Sequence, residues 1–115
     1  MLTLEKAKLN LRIDYDDEYF DTLIEDILEA SKIDIQESTG VPGNFKDIIQ
    51  DENLKEQIDY LYTRCQSISV SDAWYERDTI NRALNSLYIK LELLYIKSLK
   101  EQEGYWYEIR QQQKV

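Results

Sequence analysis

The densest run of ionisable side chains is Asp14-Tyr15-Asp16-Asp17-Glu18, four carboxylates in five residues. Asp14, Asp16, Glu18 and Glu25 fall at the first, third, fifth and twelfth places of an EF-hand calcium loop. The sixth place is Tyr19, where that loop needs glycine for its turn. Helical periodicity also begins at Glu18, and an extended ligand loop would break it. The run therefore reads as a turn whose Asp16 or Asp17 caps the next helix. Further on, Glu25 and Glu29, or Asp21 and Glu25, stand one helical turn apart and in principle share a metal. Carboxylate-bridged metals in helical bundles add Glu-x-x-His pairs, and the chain has no histidine. Asp14, Asp16, Asp17, Glu18, Glu25 and Glu29 are read as an acidic surface, with no metal or cofactor expected.

Without histidine there is no Ser-His or Cys-His pair and no imidazole base, and most zinc sites are excluded. The three glycines are isolated, so no phosphate-cradling loop exists. Carboxylates alone offer no pair in a shielded setting, and an enzyme is not expected. The single cysteine, Cys65, cannot form an internal disulfide and lies in phase with apolar neighbours, which predicts a small buried thiol.

The net charge of −9 argues against direct nucleic-acid binding, which draws on a basic surface to release counterions. The charge is also uneven. From Asp14 to Asp59, fifteen acids stand against three lysines, whereas from Arg77 to Val115 seven bases stand against five acids. Such asymmetry either reflects solvated helix faces or supports head-to-tail contact between copies. An acidic run of this kind also suits a small protein-binding module, such as a DNA-mimicking inhibitor of a basic protein. No apolar run approaches membrane-spanning length, and a soluble protein made in the cytosol is expected.

The elements behind these residues are helical. With 43% hydrophobic residues and little Gly or Pro, the chain is predicted to form one all-α domain, a small bundle around one long central helix. That helix is expected over Asp78 to Glu103, capped by Asp78 and stopped at Gly104, with residues 1–104 as the domain and 105–115 as a tail. Its broad inner stripe is Ile80, Leu84, Leu87, Tyr88, Leu91, Leu94, Tyr95 and Leu99. A second set, Ile89, Leu93 and Ile96, points the other way. It implies either a helix covered on both sides or one that meets another subunit. Thr3 predicts the cap of a first short helix with an apolar side of Leu4, Ala7 and Leu11. A second helix is expected from Glu18 to Thr39, with Phe20, Leu23, Ile24, Ile27, Leu28, Ser31 and Ile35 inward and Gly40 ending it. Phe45, Ile48 and Ile49 suggest a helical turn. Asn53 with Glu56 resembles a capping box before a helix carrying Leu54, Ile58, Leu61, Tyr62, Cys65 and Ile68. The alternation Ser-Ile-Ser-Val-Ser from Ser67 to Ser71 is expected to end that helix and admits a short strand or hairpin. Tyr105, Trp106 and Tyr107 are adjacent aromatics suited to an interface, or to folding back over the core.

The N-terminal third, Met1-Leu-Thr-Leu-Glu-Lys-Ala-Lys-Leu-Asn-Leu-Arg-Ile-Asp, leads through Asp16-Asp17 into an acidic helix closing in Ser38-Thr39-Gly40. It resembles the head–tail connector proteins of tailed phages, also called head-completion or adaptor proteins and often labelled as DNA-packaging proteins. The match covers roughly the first forty residues; later segments align only by pattern, and the proline-led start common in the family's later core helix is missing. The resemblance implies a virion protein of a phage or prophage, made in the bacterial host cytoplasm and placed at the portal vertex. It would form an oligomeric ring beneath the portal protein, extend the DNA channel without binding DNA specifically, and offer a dock for the next connector or tail protein.

Overall fold

The computed structural model describes residues 1–77 and 81–113, with side chains through residue 102. Five helices follow one another: α1 Leu4–Asn10, α2 Asp21–Thr39, α3 Phe45–Ile48, α4 Glu52–Trp74 and α5 Arg82–Gln113. No strand occurs among the described residues, and the fold is all-α. α4 packs against each of the other four helices, while α5, the longest, lies along α4 and α2. At 1.5 Å per residue α5 extends about 48 Å, roughly 13 Å more than α4. The molecule is accordingly drawn out, 63 × 30 × 19 Å.

Local chemistry sets the helix ends. Thr3 Oγ1 accepts a hydrogen bond from the Lys6 N–H and starts α1. α1 and α4 both end in a six-residue Schellman closure: Ile13 N–H donates to Lys8 O at 2.9 Å, and Arg77 N–H donates to Asp72 O at 2.9 Å. Each closure places a non-glycine residue in the left-handed region, Arg12 at φ 59° and Glu76 at φ 53°. α2 ends at Gly40, whose φ of 79° is free of Cβ strain.

Several boundaries differ from those expected. α2 starts at Asp21 rather than Glu18, and neither Asp16 nor Asp17 caps it. Asp17 instead accepts from the Tyr19 N–H at 3.1 Å, a local turn that holds residues 17–19 out of the helix. α4 is capped by Asp51, which accepts from the Leu54 N–H at 3.1 Å, two residues ahead of the expected Asn53. The Ser67–Ser71 segment stays helical through Trp74. Val70 there falls one turn beyond Gln66 and two beyond Tyr62, so burying it keeps the helix going. Ser67 donates its hydroxyl back to Thr63 O at 3.0 Å, satisfying it inside the helix. α5 is capped by Asn81, which accepts from the Leu84 N–H at 3.0 Å; Asp78 and Ile80 lie outside the described residues. Gly104 does not stop α5, which continues to Gln113 through a stretch rich in helix-forming Glu and Gln. One interior glycine weakens a long helix by only about 1 kcal/mol.

The core is in two parts. The larger joins the C-terminal half of α2, the α3 region, the first half of α4 and α5 through Ile35, Val41, Phe45, Ile58, Tyr62, Leu91 and Tyr95. The smaller gathers Leu2, Ala7, Leu11, Ile24, Leu28 and Val70, with Phe20 edge-on to Trp74 at a ring separation of 5.2 Å. Cys65 is fully buried in the larger part. Burial pushes its thiol up to about 11, so it is a packing residue with little thiolate character.

Candidate functional surfaces

The acidic turn is organised from inside by Lys8. Its ammonium donates to the backbone carbonyl oxygens of Tyr15 and Asp17, and pairs with the Asp21 carboxylate at 2.8 Å. The stem of Lys8 is buried beside Ala7, and its length carries the cation under the turn. Inward-facing oxygens of the loop are thus occupied by the chain's own ammonium. The carboxylates of Asp14, Asp16, Asp17 and Glu18 face solvent, as do Glu25 and Glu29 on α2. Glu29 holds Lys32 at 2.9 Å, an exposed pair of small energetic weight. Among the described residues no three acid or thiol side chains converge on a point where a metal would sit.

Between the two core parts lies a polar node. Gln66 is fully buried; its Oε1 accepts from the Leu2 N–H at 2.8 Å and its Nε2 donates to Ser31 Oγ at 3.1 Å. Ser31 in turn donates to Leu28 O at 2.6 Å. One amide thereby joins the start of the chain, α2 and α4, with its oxygen and nitrogen both satisfied. A second clasp closes the α4–α5 connection. Asp72 accepts from Arg77 at 3.1 Å and from the Asn81 side chain at 3.2 Å, fixing the start of α5 against the end of α4. At the other end, Gln102 accepts from the Gln50 N–H at 2.9 Å and donates to Ile48 O at 3.2 Å, tying α5 to the α3 loop.

These ties set how α5 is rotated. Leu87, Leu91 and Tyr95 go inward, while Ile89, Leu93 and Ile96 stand 60, 62 and 39% exposed. Among the described residues nothing covers them, so the second apolar face is a bare one. Leu93 also borders a shallow groove between α4 and α5, floored by Leu61 and Leu94 and edged by Lys90 and Lys97. A neighbouring depression along α5 joins Leu93 and Ile96 to Lys97, Lys100 and Glu101. The result is an apolar strip with a basic edge on a protein that is acidic overall.

The expected site residues therefore fall in separate places. Ile89, Leu93 and Ile96 form one strip; the six acids spread over the turn and α2. Tyr105, Trp106 and Tyr107 belong to the C-terminal part of α5, and their side chains lie outside the described residues. Neither Lys8 nor Gln66 was expected to organise anything. A signal for Lys8 was present: it sits one turn after Leu4, on the inward side of α1, just before four acids. Leu23, assigned to the inner stripe of α2, is half exposed; Ile24 and Leu28 turn inward and leave Leu23 on the outer flank.

No helix among the described residues is long and apolar enough to cross a membrane. Comparison with protein-family models, curated proteins and solved structures found no match for this chain.

Proposed function

We propose that this chain is a structural adaptor of a tailed phage or prophage, a ring-forming subunit at the portal vertex that joins head to tail and extends the DNA channel. The observation that carries the reading is the bare Ile89-Leu93-Ile96 strip on a helix already packed on its other side. A contiguous apolar strip on a chain this acidic is best explained by contact with another protein surface. The N-terminal order of a short capped helix, an acidic turn and a helix closed by a left-handed glycine agrees with the connector resemblance. Exposed acids on the turn before α2, Asp14, Asp16, Asp17 and Glu18, suit a channel wall, where they repel phosphate and let DNA slide. The portal protein and the next connector or tail protein are the implied partners, and the role requires no catalysis.

The test is the native mass of the purified protein over a concentration series, with negative-stain imaging and a parallel binding assay on a portal protein. Closed rings, or salt-insensitive binding to the portal, are expected. Absence of both would overturn the proposal. The exposed acids on α2 also favour a second reading, a small acidic inhibitor of a basic protein. That reading requires a strict monomer whose binding to its partner weakens steeply as salt rises.

A further inference from the structure

Resting on the adaptor reading, we infer that the α5 strip of one copy docks onto the outer face of α2 in the next copy, a head-to-tail contact. The outer face of α2 carries its own stripe: Leu23, Asp26, Ala30, Ile33 and Glu37, spaced alternately by three and four residues. Leu23 and Ile33 on it are 51 and 58% exposed, and Tyr19 is 84% exposed in the turn before the helix. On α5, Ile89, Leu93, Ile96 and Lys100 are exposed with the same alternation. Alternating four and three is the seam spacing that lets two helices lie nearly parallel with side chains interlocked. Both seams face outward on a single chain, so they are available to one another only between copies.

Charge selects this pairing over like with like. The α2 helix holds Asp21, Glu25, Asp26, Glu29, Asp34 and Glu37 against a single base, Lys32, which Glu29 already engages. The α5 strip is flanked by Lys90, Lys97 and Lys100 and by the exposed Glu92 and Glu101, and the three lysines make no ion pair among the described residues. Two α2 faces would repel, whereas α2 against α5 sets its acids beside the three free lysines around the seam. Because the two patches differ, the contact is heterologous and repeats from copy to copy, as a ring requires.

The experiment uses two full-length variants, Ile33→Asp and Leu93→Asp, each checked for wild-type helix content and melting temperature. Both positions are more than half exposed, so folding is expected to survive. If either variant melts early, Ile33→Gln or Leu93→Gln replaces it. Sedimentation equilibrium should show wild type assembling, each variant alone monomeric, and an equimolar mixture forming a one-to-one dimer and nothing larger. The mixture retains one intact α2 face and one intact α5 face, enough for a single contact. If Leu93→Asp is monomeric while Ile33→Asp assembles like wild type, the α2 docking face is wrong and the adaptor reading stands. If wild type remains monomeric at the highest concentration, the contact between copies is overturned, and portal binding alone then decides the adaptor reading.

Discussion

Beneath α5 the core is apolar: Phe45, Ile58, Leu91 and Tyr95 close together, and the Tyr62 hydroxyl finds no hydrogen-bond partner among the described residues. Beneath α1, at the other end of α4, buried Lys8 and Gln66 bind backbone oxygens, a backbone N–H and a serine across three segments. The first region depends on shape and area, so its contacts tolerate another apolar side chain of similar volume. The second depends on atom-by-atom satisfaction, so losing one partner strands several others. Each half is vulnerable in its own way: the apolar one to cavities and buried ionisation, the polar one to deletion of a single group.

Alkali should damage the apolar half most. Burial pushes Tyr62 up to about 12, with Glu29 and Cys65 adding to it, and pushes Tyr88 up to about 12, with Cys65 and Asp34 adding and Ser38 opposing. Burial likewise puts Cys65 at about 11. All three are neutral in the folded state and ionise more readily once unfolded. Their contribution is fully present below pH 9 and falls as pH rises toward 12. The loss is about 1.4 kcal/mol for every tenfold by which folding weakens one of these acids. Urea titrations from pH 8 to 12 check this, with Cys65 alkylation and the last part of the tyrosinate absorbance, that of Tyr62 and Tyr88, expected to follow global unfolding.

Leu91→Ala comes next, leaving a cavity where α5 meets α4, with an expected loss of about 3 kcal/mol in urea unfolding. Lys8→Met, which keeps the stem but removes the ammonium, should cost about 2 kcal/mol. Asp21 is partly exposed and recovers some hydration, which keeps that loss below the usual cost of a broken buried pair. Its signature is local: amide exchange should accelerate across residues 14–21 while the α4–α5 amides stay protected. Tyr62→Phe probes the contrast from the other side. A buried hydroxyl without a partner loses its hydration for nothing, so its removal should raise stability, by about 1 kcal/mol in urea unfolding.

The apolar half was largely legible in the sequence and the polar half was not. The inner stripe of α5, the phase of Cys65, the turn at Phe45 and the stop at Gly40 all follow from period and cap chemistry. Boundaries failed where a nearby alternative satisfied the same need. Asp51 capped α4 in place of Asn53, and Val70 outweighed the strand-like alternation around it. Lys8 and Gln66 escaped because a polar residue on an inner face carries no meaning until its partners, distant in sequence, are known. For the candidate surfaces, period alone put Ile89, Leu93 and Ile96 outward. It misplaced Leu23, which shares a boundary position on α2 with the buried Ile24.

The Gln66 amide also bears on how the chain is made. Leu2 leaves the ribosome well before Gln66, yet its N–H is held by a side chain synthesised 64 residues later. That contact therefore cannot form until Gln66 is out of the exit tunnel, and α1 and α2 are without it until then. A late contact thus fastens an early stretch of the message.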